Sequence, residues 1–439
     1  MTRLFINYLL QDVIVLDLGI RPSFNIEIGI EEFHIGHSDF IYKEKIFDSS
    51  QPEIYPGDIL FLDKVYETAM KYKTLDFDKL ENNLASITSR SLLKLIYFFT
   101  NEQYFSYPLI KDKYGRCSSE SIRKEIYKYL DIPISDILIR IFLNQFQIKP
   151  ERFLINYTCD YDILHYWEHL GLISTFKRML KSIFMLRLKQ FFKEVPSILW
   201  EKNNVRYNYF LNDAMFSFKE MSFDIKIRNI AFFHLHQSNI KYDPNNNFST
   251  KALRNFIQIL EDKQVIFGLH PSYGSSSDKA SLEQQQLKFK SVFGRKSMVS
   301  RFHYLKYSFP EDLSCLEQIG VSEDFSFGFA NDLIFRGGIT KTFRMWDNLM
   351  NKPYSVKLTP LVLMDGSFSD YLKSDLKRST AVCVEKINKV FFNGFQLTLL
   401  WHNRSMYQYG IENNIHPDLF KNVIDHIHSF SRSKSNVNS

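Results

Sequence analysis

From residue 152 onward the sequence alternates short apolar runs with polar loops and amphipathic segments. Short apolar runs bounded by turn residues predict buried strands, whereas apolar residues three and four positions apart predict helices. The strand candidates are residues 152–158, 227–236, 264–269, 297–301, 356–364 and 395–401, and the helix candidates between them are 172–192, 250–261, 280–293, 310–318 and 370–390. This alternation predicts an α/β fold with a parallel sheet and outer helices, arranged either as a barrel or as an open sheet.

Polar side chains recur at or just after the ends of the predicted strands. In parallel α/β folds the carboxyl ends of the strands form the ligand-binding face, so these side chains are predicted to converge there. Their recurrence is the strongest internal argument for an active site. They are Asp160, His236, His270, His303, Asp365 and His402.

Two carboxylates, Asp160 and Asp162, close the first of these strands. Residues at positions i and i+2 of an extended chain project to the same side, so the two carboxylates can share one site. Removing a carboxylate from water is unfavourable unless a cation or hydrogen-bond donors meet it. Taken alone, the pair also fits two solvated aspartates at a strand end. With the other strand ends, it predicts one carboxylate that binds a metal and one that stays free as a base.

Charge and cysteine content argue against several classes of protein. The net charge of +6 is small for 439 residues, and no concentrated Lys/Arg stripe is present, so a nucleic-acid partner is not expected. The four cysteines are far apart and form no CxxC pair, which argues against a zinc knuckle or a disulfide framework. No apolar stretch has the length of an integral membrane segment, and the first residues do not resemble a signal peptide. We therefore expect a cytoplasmic protein.

The change of pattern at residue 152 predicts a domain boundary. Residues 1–151 mix strand-like and helical stretches and are expected to form a smaller α+β domain, in which the polar turn at 111–116 shows no catalytic constellation. Residues 152–430 hold the β/α alternation. The tail at 431–439 is rich in Ser, Asn and Lys and is predicted to be disordered.

Seven short motifs follow one another between residues 152 and about 403. They are TCDYD at 158–162, FGLHPSY at 267–273, SRFHYL at 300–305, DFSFG at 324–328, FRGGIT at 335–340, MD at 364–365 and LWHN at 400–403. Together they resemble the motifs of the polysaccharide deacetylases, a family of carbohydrate esterase type, and in particular of bacterial members with an extra N-terminal domain. The resemblance implies a distorted (β/α) barrel and metal-dependent hydrolysis of an acetyl group on an N-acetylated saccharide.

The same resemblance implies roles for individual residues. Asp160 is expected to be the general base, and Asp162 and His270 are expected to bind a divalent metal, for which Asp and His ligands favour zinc. Arg336 is expected to hold Asp160 ionised and oriented.

On the other side of the substrate, His402 is expected to protonate the departing amine as general acid. Asp365 is expected to orient His402 and raise its proton affinity.

One departure from the family pattern leaves the third metal ligand open. The usual motif has a second histidine four residues after the first, but Gly274 stands at that position after His270. His303, at the following strand end, is the preferred replacement. His234 and His236 are a competing pair, since their i, i+2 spacing would place both on one face of a strand.

Other histidine and aromatic positions have less specific interpretations. His165 and His169 have a metal-like spacing on a predicted helix and are expected at the surface or the cleft rim. Trp401 fits either a sugar-stacking residue or a core tryptophan. The basic and aromatic segment 176–193 is predicted to be an amphipathic helix that packs on the sheet, without a membrane role.

The sequence leaves two rival functions open. The first is another barrel metal hydrolase that uses His234 and His236. The second is a non-catalytic carbohydrate-binding or assembly protein that kept the barrel and lost the metal, which the missing histidine at position 274 favours.

Overall fold

The computed structural model describes residues 13, 23–27, 30–35, 38–42, 56–71, 89–144, 153–185, 187–208, 211, 216, 225–393, 395–406 and 415–435. Within these ranges, no helix combines the length and the apolar character needed to cross a membrane. Residues 436–439 of the predicted tail lie outside the described ranges, whereas the last helix continues past the predicted boundary at 430 and ends at Ser435.

The first part of the described chain contains a small sheet and a group of helices. The sheet is antiparallel and has strands β1 (Ser23–Glu27), β2 (Ile30–Ile35) and β3 (Ser38–Tyr42). The helices are α1 (Pro56–Lys71), α2 (Ser89–Thr100), α3 (Lys124–Tyr127) and α4 (Ile134–Asn144).

The second part alternates strands and helices, as the sequence predicts. The strands are β4 (Phe153–Tyr161), β5 (Ile225–Phe233), β6 (Ile266–Leu269), β7 (Val299–Ser300), β8 (Glu323–Asp324), β9 (Trp346–Asp347), β10 (Lys352–Pro353), β11 (Lys357–Leu358), β12 (Leu363–Met364) and β13 (Gln396–His402). The helices are α5 (Tyr166–Phe184), α6 (Leu188–Trp200), α7 (Lys251–Asp262), α8 (Lys279–Phe293), α9 (Glu311–Ile319), α10 (Leu376–Asn393) and α11 (His416–Ser435).

Eight of these strands form one sheet in the order β11-β8-β7-β6-β5-β4-β13-β12, and all neighbouring pairs are parallel. The edge strands β11 and β12 are consecutive in the chain. The link from Leu358 to Leu363 reaches at most about 18 Å, whereas the edges of a flat sheet of this size would lie about 34 Å apart. The sheet therefore curls, consistent with a (β/α) barrel that is open between β11 and β12.

The opening divides a segment that the sequence predicts as one strand, residues 356–364. The structure has two short strands there, separated by residues 359–362. Pro360 cannot donate a backbone hydrogen bond, and the amides on its C-terminal side pair with different neighbours. Leu361 donates to the Phe327 carbonyl at 2.9 Å, and Val362 donates to the Thr398 carbonyl at 3.1 Å.

Residues 89–144 pack directly against the barrel and share its continuous apolar core. The N-terminus of α4 meets the loop after β8, where the Ser135 hydroxyl donates to the Gly337 carbonyl at 2.7 Å. Asp136 accepts hydrogen bonds from the backbone amide of Thr340 at 2.7 Å and from its hydroxyl at 2.6 Å. The approach is close, because a Cβ on Gly338 would lie 2.4 Å from the Cγ2 atom of Ile134.

This contact predicts the effect of adding one methyl group at Gly338. Gly338 has a φ of +57°, and Gly294 at the end of α8 has a φ of +72° with open space around its Cβ position. Gly294→Ala should lower the free energy of unfolding by about 1–2 kcal/mol, for the left-handed backbone alone. Gly338→Ala should lower it by a further ~1–3 kcal/mol because of the steric overlap. Urea unfolding of both variants measures the difference, and equal losses would show that the close contact with α4 is not formed.

Candidate metal centre and active site

The strand register brings the chemically active side chains to one end of the curled sheet. Asp160 on β4 lies level with His402 on β13. The last residues of β5, β6 and β7 lie level with one another, so the residues that follow them emerge at the same height. The side chains gathered there are Asp160, Asp162, His234, His270, Arg301, Asp365 and His402.

Asp162, His270 and His303 form a buried group that can hold a metal ion. The Asp162 Oδ1 atom lies 3.2 Å from Nε2 of His270 and 3.6 Å from Nε2 of His303. Two ligands of a tetrahedral zinc ion are about 3.3 Å apart, since each bond is near 2.0–2.1 Å. The separations therefore fit one ion shared by these three side chains. The structure thus brings together all three residues that the sequence singles out as metal ligands.

The outer nitrogens of both imidazoles are already occupied. Nδ1 of His270 donates to the Arg301 carbonyl, and Nδ1 of His303 donates to Oδ1 of Asp243 at 2.9 Å. These bonds fix each ring and leave its Nε2 lone pair directed at Asp162 in the neutral tautomer. An outer-shell acceptor of this kind is typical of metal-binding histidines. The donor set, two imidazoles and a carboxylate, fits zinc.

Asp243 comes from the loop after β5, and nothing in the sequence pattern points to it. Its other carboxylate oxygen, Oδ2, accepts from the backbone amide and the hydroxyl of Ser238 at 3.1 and 2.8 Å and from the amide of Asn239 at 2.9 Å. The Tyr273 amide donates to Oδ1 at 2.9 Å. Burial would raise the pKa of Asp243, but the hydrogen bonds from His303, the Tyr273 amide and the Ser238 hydroxyl, together with the charge of His234, lower it. We assign Asp243 to orienting His303, because its lone pairs are used in these contacts.

Burial and neighbouring charges together set the pKa values of Asp162, His270 and His303. Burial would raise the pKa of Asp162, but the charges of His303 and His402 and the hydrogen bond from His270 hold it well below its usual range. Burial also lowers the pKa of His303, which favours the neutral imidazole that a metal requires. For His270, burial is outweighed by the carboxylates of Asp160 and Asp162, which raise its pKa. A metal ion at this centre therefore competes with a proton on His270.

The second carboxylate, Asp160, is held by an arginine. The Nη1 atom of Arg301 donates to Oδ1 of Asp160 at 2.9 Å and to the hydroxyl of Thr158 at 2.7 Å. The guanidinium group is fully buried and lies over the ring of Phe232, 4.6 Å from its centroid. The other oxygen of Asp160 lies 3.7 Å from Nε2 of His270. Asp160 thus has one fixed oxygen and one that faces the candidate metal position.

The prediction that Arg336 contacts Asp160 is wrong. The glycines after Arg336 do free the backbone, with φ angles of +66° and +57°, but the side chain turns toward the segment 89–144. There it is buried against Glu102, with Nη2 3.0 Å from Oε2, and it also bonds the hydroxyl of Tyr307. Glu102 supplies the opposite charge that this buried cation requires. Arg301 takes the position beside Asp160 instead.

His402 and Asp365 form the second polar pair of the site. Nδ1 of His402 donates to Oδ1 of Asp365 at 2.6 Å, and the backbone amide of His402 donates to Oδ2 at 2.9 Å. Nε2 of His402 points the other way, 4.0 Å from Oδ2 of Asp162. Burial would lower the pKa of His402, but the carboxylates of Asp365 and Asp162 outweigh it and raise the pKa to about 9. The imidazole therefore carries a proton at neutral pH.

A pocket opens onto these groups, and part of its wall comes from the segment before the barrel. Tyr114 and Arg116 lie in the turn that the sequence leaves without a role, and both line the pocket. Arg116 is buried and donates to Asp112 and to the Tyr304 carbonyl, which fixes this turn against the barrel. The other lining residues are Asp160, Asp162, His303, Tyr304, Leu305, Met364, Gly366, Asp370, Tyr371, Leu400, His402 and Arg404.

The competing histidine pair is not arranged as the alternation rule predicts. β5 ends at Phe233, so His234 and His236 lie beyond the strand. His234 is fully buried and its ring centroid is 4.7 Å from that of His303, in a second group that also contains Asp243. His236 is half-buried and belongs to neither of the two His/Asp groups found among the described residues.

Two of the remaining candidates, His165 and Trp401, are buried and do not line the pocket. His165 is buried, contrary to the predicted surface position, and its ring nitrogens contact Asn208, Thr250 and the Asn247 carbonyl. The side chain of His169 lies outside the described part of the structure. Trp401 is fully buried and packs edge-on against Phe420, which favours the core interpretation.

Comparison with known proteins adds little to this geometry. No protein-family model matches the chain, and no curated protein matches it in sequence. A solved structure described as a "putative polysaccharide deacetylase from Mycobacterium smegmatis" is similar over 66% of this chain and 93% of its own. The identity is 10% and the TM-score is 0.34, so this likeness carries no argument about function.

The geometry predicts which histidine a metal ion needs. His303→Gln should weaken zinc binding at least ~100-fold, since even outer-shell partners contribute about 10- to 100-fold. His236→Gln is the matched control and should leave zinc affinity unchanged. Competition with a chromophoric chelator measures both affinities. Zinc affinity that falls in the control and not in His303→Gln would move the centre to the competing pair.

Proposed function

We propose that this chain is a metal-dependent hydrolase of polysaccharide-deacetylase type, which removes acetyl groups from an N-acetylated sugar or saccharide chain. The observation that carries the proposal is the convergence of three arrangements at one pocket. These are the Asp162, His270 and His303 group, the Asp160–Arg301 pair and the His402–Asp365 pair. The motif resemblance assigns the same residues to these roles, except that it expects Arg336 instead of Arg301 beside Asp160.

Zinc is the proposed metal, held by Asp162, His270 and His303. When bound, it supplies a Lewis acid that lowers the pKa of water and polarises an acetyl carbonyl. The missing histidine at position 274 does not favour the non-catalytic rival, because His303 offers a third donor.

Asp160 and His402 then carry out the two proton transfers. Asp160, oriented by Arg301, accepts a proton from the attacking water through its free oxygen. His402 donates a proton to the departing nitrogen, and Asp365 stabilises the imidazolium that this requires. An amine leaving group needs that proton more than an alcohol does, and the carboxylate of Asp365 raises the pKa of His402, which favours the charged imidazole. This favours N-acetyl over O-acetyl substrates.

The wall of the pocket is the reason for proposing a saccharide substrate. Tyr114, Tyr304 and Tyr371 line it, and aromatic faces pack well against the apolar faces of sugar rings. The proposal keeps residues 1–151 as an N-terminal unit, of which the turn at 111–116 forms part of the pocket. It also keeps a cytoplasmic site of action.

Replacing the proposed base separates catalysis from metal binding. Asp160→Asn should lower the rate of acetate release from N-acetylated saccharides about 10²- to 10⁴-fold, the usual contribution of a general base. Zinc content should stay the same, because Asp160 is not among the ligands. Asp262→Asn is the control, since Asp262 is exposed at the end of α7, does not line the pocket and should keep its kcat. Full activity in Asp160→Asn would remove Asp160 from this role.

The His402–Asp365 pair predicts a shift in pH dependence. His402 must be protonated to act as an acid, so activity should fall as pH rises through its pKa. Asp365→Asn removes the carboxylate that raises this pKa, and the alkaline limb of kcat/KM should move down by about 1–3 pH units. The acidic limb, which belongs to another group, should not move. A pH–rate profile whose alkaline limb is unchanged would contradict the assignment of His402.

A further inference from the structure

Helices α5 and α6 form a hairpin, residues 166–200, whose outward face is apolar. Its α5 helix bends at Gly171, where φ is +72°. Eleven of the 23 large apolar side chains exposed among the described residues lie between Leu172 and Trp200, a segment of about 30 residues. Leu172 is 90% exposed, Phe184 84% and Phe192 70%. Soluble monomers rarely expose so many apolar side chains in one place.

Tyr166 and Trp167 pack in a small apolar cluster at the base of the hairpin, but from Leu172 onward every buried side chain that the structure describes in it is polar. Thr175, Ser182, Glu194 and Ser197 are buried, and Arg178 pairs with Glu194 between the two helices at 2.9 Å. A surface helix normally buries its apolar stripe and exposes its polar one. The prediction that segment 176–193 packs its apolar face on the sheet is therefore wrong, because that face points away from the protein.

The hairpin is basic beyond its first turn, which contains the exposed Glu168. Residues 171–200 contain six basic residues and a single acidic one, Glu194, which is buried and paired with Arg178. Lys177 and Lys181 are exposed on α5, next to the apolar side chains. An apolar helix face flanked by lysine and arginine is the pattern of helices that lie in the interface of an anionic membrane.

The base of the hairpin is attached beside the candidate active site. Tyr166, its first residue, follows Asp162 by four positions, and the Glu201 carboxylate accepts the backbone amides of Tyr166 and Trp167 at 2.6 and 3.0 Å. The Asn403 side chain, next to His402, donates to the Ile163 carbonyl at 2.6 Å. A surface that binds the hairpin would therefore lie next to the strand ends that carry the site.

We propose that the hairpin is a membrane-surface anchor that binds an anionic lipid bilayer. Its exposed Leu, Ile, Phe and Trp side chains enter the boundary between head groups and acyl chains, and Lys177 and Lys181 contact the lipid phosphates. This inference is independent of the reaction at the metal centre.

Flotation of the full chain with lipid vesicles tests the proposal. The protein should float with vesicles of phosphatidylglycerol and phosphatidylcholine, and only weakly with phosphatidylcholine alone. The triple variant Phe176→Ser, Phe184→Ser, Phe192→Ser should bind at least ~10-fold more weakly. The control triple variant Ile240→Ser, Leu349→Ser, Met350→Ser replaces equally exposed apolar residues elsewhere and should bind like the unmodified chain.

A charge variant gives an independent measurement. Lys177→Glu with Lys181→Glu should reduce binding to anionic vesicles and leave thermal unfolding unchanged, because both positions are exposed. Absence of vesicle binding by the unmodified chain, or unchanged binding in the phenylalanine variant, would overturn the proposal. So would a stable dimer by light scattering that the phenylalanine substitutions convert to monomers, since a second copy would then cover the hairpin.

Discussion

The negative charge of Asp162, buried at the end of β4, is the constraint around which the site is arranged. A buried carboxylate without compensation is unfavourable by several kcal/mol. Three histidines and an arginine surround this one, with His270 and His303 within 3.6 Å of the same oxygen and Arg404 3.9 Å from the other. A hydrogen bond at the Nδ1 atom of each imidazole fixes the ring, so its Nε2 atom stays directed at the carboxylate. The arrangement is suited to a cation that binds two imidazoles and one carboxylate.

Two aspartates one residue apart have different surroundings, and this difference allows two roles. Asp162 faces imidazoles, whereas Asp160 is fixed through one oxygen by Arg301. Pairs of titratable groups with contrasting environments are typical of acid–base sites. His402 completes the set from the neighbouring strand, because the β4–β13 register places it level with Asp160. The curled sheet brings these strand ends together, and the turn at 111–116 adds a wall that the barrel alone does not have.

The sequence predicts those parts of the molecule that follow from local periodicity. The β/α alternation predicts the parallel sheet, and the i, i+2 rule places Asp160 and Asp162 together. The same rule applied to the next motif places Arg301 on the same side of the chain as His303, whereas its contact with Asp160, 141 residues away, is visible only in the structure. The resemblance places Arg336 beside Asp160, but the buried partner of Arg336, Glu102, lies 234 residues away in the chain, beyond the reach of any local pattern.

Three other features depend on tertiary contacts that the sequence does not encode locally. Asp243 lies in a loop without a motif, and β8 has only two residues, Glu323 and Asp324, too few for a periodic signal. The orientation of the hairpin is the third. A period of 3.6 residues shows that a helix has an apolar face but not whether that face meets the sheet or the solvent. The Arg178–Glu194 pair lies between the two helices and shows which face of the hairpin is turned inward. That pairing is visible only in the structure.

X-ray absorption spectroscopy of the zinc-loaded protein tests the central claim most directly. One tightly bound zinc ion per chain, with a first shell of two imidazole nitrogens and carboxylate or water oxygen, is the predicted result. A chain that binds no zinc at stoichiometric concentration, or a zinc shell without imidazole scattering, would contradict the account.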